Sequence, residues 1–215
     1  MVKKDRPKFP DSYIGDQALE YDSSNWMERN QKITTYRCIE LMYDQNLGAF
    51  KDYNNDELLL LDLGCGSGFS TEVLLEEKFR VISIDILSDM LQYFREKRMD
   101  GSIIIMADIR DLPIRENKID HIISVSSFNF IYEDLCDDRE KNQVLRSTSE
   151  VIRDIIREDG RIIIEFYPES EKDIDLLTKA FKSAGFNGFF VKDNPNMRKE
   201  QNYIVLKKEK QFGNL

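Results

Sequence analysis

Leu58-Leu59-Leu60-Leu61-Asp62-Leu63-Gly64-Cys65-Gly66-Ser67-Gly68 decides the fold of this 215-residue chain. An apolar run ending in a glycine cluster predicts a buried parallel strand that closes in a tight turn, with a helix starting near Phe69. Glycines at that turn let the backbone approach a bound nucleotide-like ligand.

Their spacing selects among such ligands. A dinucleotide fingerprint needs G-x-G-x-x-G, its third glycine packing helix on strand and the helix N-terminus facing a pyrophosphate. Here the glycines fall at G-x-G-x-G. Asp62 sits just before them, where a carboxylate repels a pyrophosphate but attracts the ammonium and sulfonium of S-adenosylmethionine. The segment resembles the glycine-rich motif of class I S-adenosylmethionine-dependent methyltransferases.

Outward from this motif, strand and helix patterns alternate. Strands are predicted over Leu58 to Leu63, Arg80 to Ile84, Ser102 to Met106, Ile119 to Ser124, Arg161 to Phe166, Phe189 to Lys192 and Tyr203 to Lys207. Helices are predicted over Phe69 to Glu77, Ser88 to Arg98, Glu140 to Arg157 and Glu171 to Ala184. Gly160 is read as lying before the fifth strand and Gly185 as a helix C-terminal cap. The alternation means an α/β, doubly wound, mostly parallel seven-stranded sheet of Rossmann-like type, with an antiparallel pair closing one edge. Before it, Met1 to Asp11 read as a mobile arm, and Ser23 or Ser24 as the cap of a helix that ends near Asn46-Leu47-Gly48 and lies over the cofactor mouth. Residues 1–50 are thus expected to be an N-terminal arm and helix, and 51–215 the ligand-binding domain, in one structural unit.

A net charge of -9 and 41% apolar content fit a single well-filled core and argue against nucleic-acid binding by bulk electrostatics. Basic residues cluster only locally, at Lys3, Lys4, Arg6 and Lys8, at Arg198 and Lys199, and at Lys207, Lys208 and Lys210. Cys38, Cys65 and Cys136 are widely spaced, which supports neither a disulfide framework nor a zinc site, and no metal is expected. Met1 to Pro10 is polar, unlike a signal peptide, and no apolar stretch approaches the ~20 residues of a membrane span.

Chemistry-bearing residues follow the strand ends. Asp85 ends the second strand about 20 residues after the glycines, the place for a carboxylate that accepts from both ribose hydroxyls; its alternative is to support the turn at Ile86 to Asp89. Asp108, after the third strand, is positioned to accept from an adenine amino group. The fourth strand runs into Ser124-Val125-Ser126-Ser127-Phe128-Asn129-Phe130 at the crevice where cofactor and acceptor meet. No Asn/Asp-Pro-Pro-Tyr/Phe motif is present, which demotes adenine-amine and glutamine-amide acceptors, while Phe128 or Phe130 could stack on a flat ring. His121, inside an apolar strand, reads as structural. The lack of another candidate base suits N7 of guanine, whose lone pair is free and which loses no proton on methylation.

Glu165-Phe166-Tyr167-Pro168-Glu169, Ala184-Gly185-Phe186-Asn187-Gly188, Val191-Lys192-Asp193-Asn194-Pro195 and Tyr203-Ile204-Val205-Leu206 carry a narrower likeness. With Ile123-Ser124-Val125-Ser126, Arg6-Pro7 through Tyr13, and Ala18-Leu19-Glu20-Tyr21, the chain resembles the eukaryotic small-subunit (18S) rRNA guanine-N7 methyltransferases. Asn129-Phe130 stand where that family commonly has Gln-Trp. The resemblance implies S-adenosylmethionine bound by Tyr21, Asp62, Gly64, Cys65, Gly66, Gly68, Asp85, Ile86, Asp108, Ile109 and Ser124, with Ser126, Asn129 and Phe130 at the acceptor. It implies rRNA or a pre-ribosomal particle as substrate, work in the nucleus and cytoplasm, and a small zinc-binding activator subunit as partner. The strand Ile103 to Met106, an expected sheet edge without charge or proline, could receive that subunit, with cover by the N-terminal arm as the alternative. A small-molecule methyltransferase and an assembly factor with a mainly structural cofactor site are the other readings.

Overall fold

A computed structural model describes residues 8–48, 54–195, 197 and 200–209. The basic residues Lys3, Lys4, Arg6, Arg198, Lys199 and Lys210, with most of the expected arm, lie outside these residues. The strands are β1 (Leu59–Leu63), β2 (Arg80–Asp85), β3 (Ser102–Met106), β4 (Ile119–Ser124), β5 (Ile156–Phe166), β6 (Phe186–Asp193) and β7 (Gln201–Lys208). They form one sheet in the order β3-β2-β1-β4-β5-β7-β6. β1 to β5 pair in parallel, and β7 runs antiparallel between β5 and β6. The reversal of strand order beside β1 leaves a crevice at the carboxyl ends of β1 and β4, where ligands bind in open α/β sheets.

Period-two burial divides the strands between two helical layers. Leu60, Ile123, Ile163 and Val205 face a core shared with α2 (Asn25–Met42) and α3 (Phe69–Glu76), through Cys38, Leu41, Met42, Val73 and Leu74. Leu61, Ile122, Ile162 and Leu206 face the opposite layer, α5 (Asp138–Ile155) and α6 (Glu171–Ser183), through Leu145, Ile152, Leu177 and Phe181. Cys65, Leu91 and Phe94 make a smaller cluster under α4 (Ser88–Glu96). α2 is therefore part of the core as well as a cover for the site. Ser24 caps it by accepting from the Met27 amide at 3.3 Å, a contribution of about 1 kcal/mol.

Four details depart from the sequence reading, the first being that α2 ends at Met42, short of the expected Asn46 to Gly48, where a separate 3-10 turn spans Gln45–Leu47. α1 (Asp16–Asp22) precedes α2, although no side chain caps its start. β5 begins at Ile156, so α5 ends at Ile155 and Gly160 lies inside the strand. There, a register shift between Ile119 and His121 crowds the backbone, and a Cβ on Gly160 would stand 2.8 Å from the Asp120 carbonyl oxygen. β6 is also longer than the predicted Phe189 to Lys192, because its whole length from Phe186 to Asp193 pairs with β7. Among the described residues, no helix is long and apolar enough to cross a membrane.

Candidate active site

β1 and β2 end side by side, and the chain leaves β1 through a turn made by backbone alone. The amides of Gly64 and Cys65 donate to the Ile84 carbonyl at 2.8 and 3.0 Å. Gly64, Gly66 and Gly68 have φ of 73°, 55° and 94°. At Gly64 the left-handed conformation coincides with close packing against Ser127, so no larger residue fits. Gly68 stands at the N-cap of α3 and Cys65 is buried beneath the turn.

Two carboxylates flank the turn. Asp62 is fully buried, and its Oδ2 accepts from Ser70 Oγ and Thr71 Oγ1, both at 2.6 Å. Its Oδ1 is buried without a hydrogen-bond partner. Burial pushes the Asp62 carboxyl up to about 6, opposed by the two hydroxyls and aided by the charge of Asp85. Asp85 Oδ2 accepts from the Gly66 amide at 2.8 Å and Oδ1 from the Leu87 amide at 2.9 Å. Burial raises its pKa as well, against these backbone bonds. Asp85 therefore supports the turn at Ile86 and fastens the glycine loop, and each oxygen keeps acceptor capacity for a further donor.

The remaining wall comes from β4 and the segment after β3. Ser124 Oγ and Ser127 Oγ both donate to the Leu63 carbonyl, at 3.0 and 2.7 Å, tying the end of β4 to the end of β1. Ile109 reaches the Gly64 position and is buried, whereas Ile86 is exposed at the rim. The Asp108 carboxylate is held by the Arg110 guanidinium, with Nε at 2.9 Å from Oδ1, and this partner lowers its pKa. An adenine amine would share Asp108 with that cation.

The N-terminal segment roofs the crevice. Tyr21 stacks on Phe69 with ring centroids 5.9 Å apart, and burial raises the pKa of its hydroxyl, which also feels the charges of Asp85 and Glu165. The Gly15 amide donates to Asp89 Oδ2 at 2.7 Å, and Asp22 pairs with Lys97 at 2.6 Å. Lys97 in turn donates to the Ser67 carbonyl at 2.8 Å and lies 3.9 Å from the Phe69 ring centre.

At the acceptor end the structure separates the predicted residues. Phe128 belongs to the core, so it offers no face to a ligand, and Phe130 alone of the two reaches the mouth, where Phe9 stacks on it at 5.0 Å. Asn129 spends its amide on the Tyr167 backbone, donating to the carbonyl and accepting from the amide, both at 3.0 Å. Ser126, with φ of 57°, turns toward Glu165, Tyr167 and Gln31. Glu165, Tyr167 and Gln31 escaped the sequence reading as site residues; only the Glu165-Phe166-Tyr167 segment carried a signal, as a family marker. His121 lies in the first half of β4, away from the crevice. Its Nδ1 accepts from the Arg161 amide at 3.1 Å, and burial lowers its pKa to about 4.

These residues fit a ligand with a cationic amino-acid end and a ribose. The orphaned Asp62 oxygen faces a missing donor, Asp85 has capacity for hydroxyls, and the loop between them presents backbone instead of side chains. A family described as a methyltransferase domain matches residues 61–164, the segment holding this cradle. The chain is 26% identical over 187 residues to the 18S rRNA (guanine(1575)-N(7))-methyltransferase of Saccharomyces cerevisiae, covering 86% of this chain and 64% of the yeast protein. It is 29% identical over 198 residues to the 18S rRNA (guanine-N(7))-methyltransferase of Mus musculus, covering 90% of this chain and 66% of the mouse protein. The chain thus spans less than two thirds of these relatives' own length. A solved N-methyltransferase, NodS from Bradyrhizobium japonicum in complex with S-adenosylhomocysteine, shares the fold with a TM-score of 0.61 at 14% identity, over 93% of this chain and 96% of that one.

Proposed function

We propose that this chain, which resembles 18S rRNA guanine-N7 methyltransferases along most of its length, is an S-adenosylmethionine-dependent methyltransferase acting on N7 of a guanine in small-subunit rRNA. One observation carries the reading. A carboxylate-flanked glycine cradle and a corner of hydroxyl groups open at the same end of the sheet, in a chain with this likeness.

Asp62 and the Gly64 to Gly66 backbone would hold the amino-acid end of the cofactor, Asp85 its ribose, and Ile86, Asp108 and Ile109 the edge of its base. Cys65, Gly68 and Ser124 shape the cradle from behind, and Tyr21 covers it. When bound, S-adenosylmethionine supplies an electrophilic methyl group on a sulfonium, open to in-line displacement by a lone pair. The protein's contribution is then alignment and a charge-compatible, water-excluding pocket. Guanine N7 needs no general base, which agrees with His121 being turned into the sheet and held neutral. Ser126 and Phe130 stand nearest the acceptor. Asn129 acts one step behind, by fixing the Tyr167 backbone.

The partner follows from the sheet edge. β3 ends the strand order, no strand among the described residues pairs with its outer side, and Ile103 and Met106 are 57% and 61% exposed. Such an edge suits strand addition by a small zinc-binding activator subunit. A net charge of -9 leaves RNA docking dependent on local contacts or on that partner. Action on pre-ribosomal particles would have the chain work in the nucleus and cytoplasm.

The test is methyl transfer from labelled cofactor into purified small-subunit precursors, with the chain co-expressed with the zinc-binding subunit, and mapping of N7-methylguanine in rRNA after depletion of the chain. The expected result is one guanine labelled in vitro and the same guanine unmethylated on depletion. Label entering a panel of metabolites and no rRNA would replace this reading with a small-molecule one. Normal subunit assembly with an Asp85→Ala chain that cannot methylate would separate an assembly role from the chemistry.

A further inference from the structure

The acceptor end holds a hydrogen-bonded corner of one polarity. Glu165, next to the last residue of β5, is 1% exposed. Ser126 Oγ donates to its Oε2 at 2.7 Å, while Tyr167 Oη and Gln201 Nε2 both donate to its Oε1 at 3.1 Å. A carboxylate only accepts, so each hydroxyl commits its single proton to Glu165 and retains acceptor capacity. The two hydroxyl oxygens stand 3.1 Å apart, and Gln31 Nε2 donates to Ser126 Oγ at 3.2 Å, which leaves that oxygen one lone pair for a ligand. Ser126 and Tyr167 are partly exposed where Glu165 is not. Ser126 also adopts a left-handed backbone, an uncommon state for serine that persists when surroundings enforce it and that clusters at functional sites.

We propose that this corner reads the acceptor base: Ser126 Oγ and Tyr167 Oη offer their lone pairs to N1–H and the N2 amino group of guanine. Glu165 is a positioning residue, since it fixes the direction of both hydroxyl protons without touching the base. This deepens the rRNA guanine reading above and rests on it. Adenine carries an acceptor at N1 and nothing at C2, so it would set lone pair against lone pair and be rejected. The N1 and N2 edge lies across the ring from N7, so a base held at this corner keeps N7 free for the donor in the glycine cradle.

The experiment uses an RNA spanning the methylated guanine, synthesised with guanine or with inosine at that one position; inosine lacks only the N2 amino group. Methyl transfer is measured as kcat/KM for the wild type, Tyr167→Phe and Glu165→Gln, each with the zinc-binding subunit, together with cofactor affinity by calorimetry. The wild type should lose roughly 10- to 100-fold on inosine. Both variants should lose activity on guanine with cofactor affinity unchanged, and their inosine penalty should shrink to within about threefold. An equal penalty in wild type and variants, or none in the wild type, overturns the proposal. Tyr167→Phe removes one oxygen at a partly exposed site and carries the comparison if Glu165→Gln fails to fold. A wild type that binds cofactor and methylates neither RNA overturns the rRNA reading itself, and this inference with it.

Discussion

Ser127 occupies the place where a side chain on Gly64 would begin, its Oγ 2.2 Å and its Cβ 2.3 Å from that position. Because Ser127 Oγ also donates to the Leu63 carbonyl, it cannot withdraw without giving up that hydrogen bond. Gly64→Ala should therefore destabilise the fold by about 1–3 kcal/mol and weaken cofactor binding at least tenfold. Adding Ser127→Gly should recover part of the loss, as a double-mutant cycle by thermal denaturation and calorimetry would show. Additive effects would refute the clash.

Asp85→Asn trades a carboxylate that accepts from two backbone amides for a group with one acceptor oxygen. Leaving an amide of the turn unpaired costs about 1–3 kcal/mol, so both melting temperature and cofactor affinity should fall. Methyl transfer should be lost in proportion to cofactor occupancy. Saturating cofactor that fails to restore any activity would assign Asp85 a further role.

Cofactor affinity should depend on pH through Asp62, whose carboxyl titrates at about 6 against an ordinary value of 3.8. The folded chain binds this proton more tightly than the unfolded chain, so the group's contribution to stability is full below the ordinary value and is lost as pH rises through 6. A cationic ligand favours the ionised form, so binding below pH 6 should expel a proton and affinity should rise toward pH 7, then level. Calorimetry in buffers of differing ionisation enthalpy measures that proton. Asp62→Asn should bind more weakly and release none.

His121 predicts the opposite slope for stability. Burial holds it neutral down to about 4, while the unfolded residue takes up a proton near its ordinary value of 6.5. Its neutral form stabilises the fold fully above 6.5, and acidification from there toward 4 should withdraw up to about 3 kcal/mol. His121→Gln removes this dependence, so urea denaturation at several pH values should show the gap between wild type and variant narrowing in acid.

Ile103→Lys places charge on the open edge of β3, in register with Ile82 and away from Met106, the neighbour of Asp85. Co-purification of the zinc-binding subunit should be lost, while cofactor affinity of the isolated chain stays within about twofold and its solubility improves. Undiminished capture would move the partner to another face.

The strand order was legible because the glycine turn and the alternation of apolar runs with amphipathic segments are local signals. α1 was not: among its residues only Ala18 is buried, and Gly15 caps it without a side-chain bond. The start of β5 was hidden because Arg157-Glu158-Asp159-Gly160 reads as a polar turn, while pairing with β4 is a property of the sheet. The cradle residues could be placed from spacing because they belong to consecutive elements. The Glu165 corner could not, since Gln31, Ser126 and Gln201 come from α2, the end of β4 and β7, and meet only when β7 inserts beside β5.

Burial of Asp62, Asp85 and Glu165 around one crevice has a kinetic side. The proposed methyl transfer would shift positive charge from sulfur to the purine, and a field built by carboxylates would favour that charge at both places. Under the proposed function the methylated base would leave as a cation against that field, and the expected kinetic signature is a burst followed by slower turnover set by release.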